Sequence, residues 1–184
     1  LLGGPGLAAL VNSLFPAGLT LSSGFAVVPV AWWGDRSDKR RVLLAALALG
    51  VGVYAAYPLV ETSLGFIGLR LVQGVVFAGI SLMALGLVGQ LATAGTRANY
   101  IGKANAWAFA ASIVGSLSAG LLYDRAGFGP VFTVVTAVFV VATALVWVAL
   151  PGDDTVVEGF PFSDLALNRR ILTIATFRTQ YAVA

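Results

Sequence analysis

Apolar residues run on for long stretches of this chain, and the charges gather in short clusters between the stretches. Five complete apolar runs stand out, at Ala8 to Trp33, Val42 to Val60, Leu64 to Gln90, Gly102 to Tyr123 and Pro130 to Leu150. A helix rising about 1.5 Å per residue needs about 20 residues to cross about 30 Å of hydrocarbon, and every run has that length. Membrane barrels use shorter strands with strict apolar and polar alternation, which stretches such as Val42 to Val53 and Val131 to Leu145 lack. The pattern therefore predicts an all-α, polytopic transmembrane helix bundle. Pro16 and Pro29 fall inside the first run, where membrane helices tolerate proline and usually bend. Pro130 and Pro151 flank the fifth run as punctuation.

A sixth apolar segment opens near Arg170 and continues to Ala184. The expected organisation is a bundle over 1–151, a cytoplasmic linker over 152–169 and the start of a further membrane helix over 170–184. The chain opens without Met inside an apolar stretch, as expected of a piece of a longer polytopic protein. Asp153, Asp154, Glu158 and Asp164 make the linker acidic, which suits a solvated connection.

The polar clusters contain a repeat. Ala31-Trp32-Trp33-Gly34-Asp35-Arg36 returns as Gly120-Leu121-Leu122-Tyr123-Asp124-Arg125, each copy ending an apolar run in Asp-Arg. The first continues with Ser37-Asp38-Lys39-Arg40-Arg41, the second with Ala126-Gly127-Phe128-Gly129. Two turns alike in sequence and unlike in charge suggest an inverted repeat with one copy on each side of a membrane. Cations fix the sides. Arg36, Lys39, Arg40 and Arg41, then Arg97 and Lys103, then Arg169 and Arg170 fall on alternate connections, and the opposite loops offer only Arg125. The cation-rich side, with the Asp35 loop, is expected in the cytoplasm of a multi-pass cell-membrane protein.

Composition strengthens this picture and narrows the chemistry. Apolar residues make up 59% and charged residues 10% of the 184 residues, with a mean hydropathy of +0.93, far from the mix of a soluble domain. The net charge of +3 reads as a topology signal and not as a nucleic-acid footprint. Cysteine and histidine are both absent, which removes disulfides, thiolate chemistry, the commonest metal ligand and the commonest general base. No catalytic residue, metal site or cofactor is expected, and no Gly-rich phosphate loop suggests direct ATP coupling.

Two motifs carry a resemblance. The loop Asp35-Arg36-Ser37-Asp38-Lys39-Arg40-Arg41 resembles the loop between helices two and three of the major facilitator superfamily. The family pattern is Gly, three residues, Asp-Arg/Lys, a residue, Gly, a residue, then two basic residues, and Ala31 and Asp38 replace its two glycines. Arg70, Gln73 and Gly74 are similar to the family's helix-four signature of Arg, two residues, Gln-Gly. The resemblance implies an inverted 3+3 repeat lacking its first helix, covering helices two to six and the start of seven. It also implies that Asp35 and Arg36 act in a cytoplasmic latch between the two halves, whereas an ordinary interfacial helix end is the plainer account of the same charges. Lys39, Arg40 and Arg41 serve topology and meet anionic lipid.

Arg70 lies about six residues, or near 9 Å, inside its run, with no carboxylate within four residues on the same helix. A charge at that depth costs at least a few kcal/mol unless it faces a polar cavity or a partner. Gln73 and Gly74 share its helix face at i+3 and i+4, and the family's helix four lines the central cavity, so a cavity-facing trio is expected. Snorkelling to the outer interface is the alternative. Gly115, Ser116, Ala119 and Gly120 occupy the positions where proton-coupled exporters of the family carry Gly-Pro, two residues and Gly-Gly. The proline and one glycine are missing, and small residues at this spacing also serve close helix packing. Arg178 and Gln180, with Tyr181 beside them, are candidate cavity residues in the last segment, and Trp107, near Asn105, suits an interfacial belt.

The functional expectation is a secondary active transporter of a small solute working by alternating access, an exporter or proton-coupled mode being open. A lipid bilayer, a small-molecule substrate and a coupling ion are the expected partners, and the protein is expected to act as a monomer. A sensor or scaffold with the same fold is the alternative, since a fold hosts several functions.

Overall fold

The computed structural model describes residues 5–93 and 95–152. Among them are five α-helices: α1 Pro5–Arg36, α2 Lys39–Ala56, α3 Ser63–Leu91, α4 Arg97–Ala126 and α5 Phe128–Ala149. No strand occurs among the described residues. The segments assigned to a linker and to a further membrane helix, with Arg178 and Gln180, lie outside the described residues beyond Gly152.

Each apolar run lies inside one helix to within a residue, with one exception. The run Val42 to Val60 was expected as a single helix, but α2 stops at Ala56 and a 3₁₀ turn covers Tyr57–Leu59, because Pro58 has no N–H for the α-helical ladder and its ring crowds the preceding turn. The helix ends are chemically marked. Asp38 caps α2, its Oδ1 accepting from the Arg40 N–H at 2.9 Å, and Thr62 caps α3, its Oγ1 accepting from the Gly65 N–H at 3.2 Å. α4 closes on Gly127 at φ 81°, left-handed backbone that favours glycine, with the Gly127 N–H donating to the Tyr123 carbonyl at 2.8 Å. Pro130 is not punctuation before a helix but the third residue of α5, a first-turn position where no N–H is needed. Likewise α1 continues through Pro16 and Pro29.

α1 and α3 run parallel: Gly18 sits beside Leu71 and Gly34 beside Met83. α2 returns antiparallel to α3, placing Ala46 against Gly79 and Lys39 near Gly86. α5 runs antiparallel to α2, with Arg40 at Trp147 near one end and Tyr57 stacked on Phe132 near the other. Two apolar clusters hold the helices together, Val42, Leu43, Leu47, Met83 and Leu87 toward one end and Val53, Tyr57 and Val76 toward the other. α4 packs only at the margin, with none of its residues buried.

α2 with its 3₁₀ turn, α3, α4 and α5 are each long and apolar enough to cross a membrane, and α1 carries no charged side chain between Pro5 and Gly34. Phe25, Leu64 and Val148 are at least 80% exposed, which a bilayer tolerates and water does not. The end of α1 with Asp35 shares its face with the start of α2 and the end of α5. Asp124 ends α4 beside the start of α5, whose Phe128 meets Phe66 near the start of α3. The repeated turns therefore stand at opposite ends of the bundle.

Candidate functional site

Toward the end of the bundle away from Asp35, a polar knot centred on Gln73 joins α1, α2 with its 3₁₀ turn, and α3. Its Oε1 accepts from Arg70 Nη1 at 2.8 Å and from the Tyr57 hydroxyl at 2.9 Å, while its Nε2 donates to the Tyr54 hydroxyl. Both ends of the amide are committed, so its orientation is fixed by its partners. Arg70 and Gln73 meet because they stand three residues apart on α3, and Tyr54 of α2 and Tyr57 of the following 3₁₀ turn, also three apart, meet Gln73 from the other side.

Arg70 reaches α1 as well. Its Nε donates to the Phe15 carbonyl at 3.2 Å, and its guanidinium lies 4.4 Å from the Phe15 ring centroid. The side chain is half-buried and held between helices, which disfavours snorkelling. No carboxylate pairs with it among the described residues. A charge desolvated without a counter-ion is expensive, and the neutral acceptors around Arg70 offset part of that cost.

Gly74 does different work from its neighbours in the motif. It is buried against α1, where an added Cβ would overlap Ser22 Oγ and stand 2.6 Å from the Leu19 carbonyl oxygen. The expected cavity-facing position is thus corrected: Gly74 lets α1 and α3 approach closely, which fixes the distance over which Arg70 reaches Phe15.

At the opposite end of the bundle the basic loop divides into separate contacts. Asp35 falls in the last turn of α1, exposed and with no partner among the described residues. Arg36 lies 4.7 Å from the Trp32 ring centroid. Asp38 Oδ2 pairs at 3.6 Å with Nε of the exposed Arg41, a surface pair worth at most about 1 kcal/mol. Arg40 donates through Nη2 to the Trp147 carbonyl and lies 5.6 Å from its ring, satisfying a carbonyl of the last turn of α5. Lys39 begins α2.

Gly115, Ser116 and Gly120 are exposed on α4, and Ala119 is half-buried. A Cβ added at Gly115 or Gly120 would touch nothing within 4 Å, and Ser116 turns its hydroxyl back to the Ile113 carbonyl at 3.0 Å. The close packing expected at Gly115 and Gly120 is absent among the described residues, where α4 stands at the edge of the bundle.

Sequence reasoning missed Tyr54, Tyr57 and Trp147. Two hydroxyl-bearing rings three apart in an apolar run, facing a helix that carries Gln73 in its apolar stretch, were the available signal. Asp38 was noted only as a replaced glycine, although an Asp before the helical run Lys39-Arg40-Arg41-Val42 is an N-cap signature.

The family model for the Major Facilitator Superfamily matches residues 2–181, nearly the whole chain. The chain belongs to the Major Facilitator Superfamily. No curated protein matches it. As a superfamily member it is a multi-pass membrane protein of a transporter family, whose members bind small-molecule substrates and sit in lipid bilayers and are transporters rather than enzymes.

Proposed function

We propose that this chain is part of a secondary active transporter that moves a small solute across the cell membrane by alternating access, with the Asp35 end of the bundle in the cytoplasm. The observation that carries the reading is Arg70, a charge inside an apolar run, held by neutral acceptors from α1 and α3 with no carboxylate partner among the described residues. A purely structural bundle gains little from such a residue, whereas a site that receives solute uses it. The orientation is supported by the Arg36, Lys39, Arg40 and Arg41 cluster sharing one face with the start of α4, where Arg97 and Lys103 lie. No Asp or Glu lies deep in a described span, so proton coupling through a carboxylate of these helices is not part of the proposal.

Asp35 is the proposed latch. Exposed at the end of α1, its carboxylate can meet cations or helix N-termini of another part of the transporter only while the cytoplasmic face is closed. Removing that charge should cost the closed face about 1–2 kcal/mol, a roughly 5- to 30-fold shift between two states. Cysteines placed at the cytoplasmic ends of α2 and α4 in the intact transporter report it, since this portion has no native thiol. Asp35→Asn is expected to speed labelling at both, and unchanged labelling would reduce Asp35 to a topology residue.

A further inference from the structure

The polar knot has a lopsided hydrogen-bond inventory. Three acceptors in it are engaged, the Phe15 carbonyl by Arg70 Nε, Gln73 Oε1 by Arg70 Nη1 and the Tyr57 hydroxyl, and the Tyr54 oxygen by Gln73 Nε2, while the Tyr57 oxygen, whose own O–H goes to Gln73, keeps its lone pairs beside the Arg70 charge. The other uncommitted valences are donors of Arg70 and Tyr54. Arg70 Nη2 has no partner among the described residues. Arg40 Nε is the single buried, unpartnered side-chain nitrogen or oxygen among the described residues, so Arg70 Nη2 opens onto accessible space. Tyr54 uses its oxygen as acceptor and gives its own O–H to no described group.

A guanidinium can only donate, and its planar fork suits carboxylate and phosphate oxygens. A phenol whose lone pair is already taken is likewise biased toward donating. The remaining valences thus combine one positive charge with N–H and O–H donors, and no carboxylate competes from the described helices. A cationic solute would meet repulsion from Arg70, and the spare acceptor, the Tyr57 oxygen, lies beside that same charge. Gln73 clamps both groups, and Phe15 fixes the second side of the guanidinium, so the donors are oriented before a ligand arrives.

We propose that Arg70 and the Tyr54 hydroxyl form an anion-binding site, and that the transported solute is a small organic anion bearing a carboxylate or a phosphate group. The proposal rests on the transport reading above and names the substrate class of the same site. Gln73 and Tyr57 are positioning residues: Gln73 bonds both Arg70 and Tyr54, and Tyr57 gives its O–H to Gln73.

Thermal unfolding of the intact purified transporter, titrated with benzoate, phenyl phosphate and benzylammonium, tests it with ligands that share a ring and differ in charge. Saturable stabilisation is expected from at least one anion and none from benzylammonium, the stronger anion distinguishing carboxylate from phosphate. Arg70→Gln should raise the half-saturating concentration at least about tenfold, the usual consequence of losing a charge-assisted hydrogen bond. Arg70→Lys should keep the preference for anions with weaker binding. Tyr54→Phe, which keeps the ring and the packing, should weaken the anion by roughly 3- to 10-fold and carries the test if Arg70→Gln does not fold. Stabilisation by benzylammonium equal to that by the anions, or an unchanged anion response in both Arg70→Gln and Tyr54→Phe, overturns the proposal. Solute flux in proteoliposomes separates the two failures: flux without anion binding removes the substrate class alone, and anion binding without any flux removes the transport reading.

Discussion

Gln73 and Gly74 are adjacent in sequence and serve different ends. Gln73 converts a lone cation into a held, oriented group, and Gly74 sets how closely α1 passes. Gly74→Val should cost about 1–3 kcal/mol, the scale of overpacking, because the listening partners at Leu19 and Ser23 are backbone and cannot rotate away. Gly52→Ala is the control, since nothing stands within 4 Å of its Cβ position, and it should change the unfolding midpoint little. Equal effects of the two substitutions would remove the close-approach account. The sequence showed that Arg70 needed a partner and that Gln73 shared its face. It did not show Tyr54, Tyr57 or Phe15, because a contact between helices depends on their relative rotation, which one helix's spacing does not specify.

The helices themselves were readable, since a run that must bury all its backbone polar groups in hydrocarbon has few alternatives to an α-helix. Their ends were less readable. Pro58 stops α2 early, Pro130 sits in the first turn of α5 where no N–H is needed, and Pro16 and Pro29 each cost α1 a ladder bond without ending it. The repeated Asp-Arg turns also close by different chemistry, the first passing to the Asp38 cap and the second to the left-handed Gly127. Asp38→Ala should cost α2 about 1 kcal/mol, seen as roughly five-fold faster hydrogen exchange at the Arg40 amide, while Asp38→Asn retains most of the cap. If the alanine and asparagine variants exchange alike, the contact of Asp38 with Arg41 matters more than the cap.

Across the whole bundle, charge asymmetry and an odd number of crossings placed the two turns at opposite ends, and the helix register agrees. Legibility fails at α4. Its small residues read as a packing face, yet no described helix covers Gly115 or Gly120, because small side chains permit a close neighbour without saying which helix it is. The account's central claim is that Arg70 belongs to the working site of a transporter, while the cations at the helix ends serve topology and local packing. Saturable solute flux through the intact protein in proteoliposomes, compared among wild type, Arg70→Ala, Arg36→Ala and Arg125→Ala at matched insertion, tests that claim most directly. Arg70→Ala is expected to lower flux at least about tenfold, the effect of losing a few kcal/mol of partly buried charge interaction, with the other two remaining within about twofold of wild type. Wild-type flux through Arg70→Ala, or an equal loss in all three variants, would contradict it.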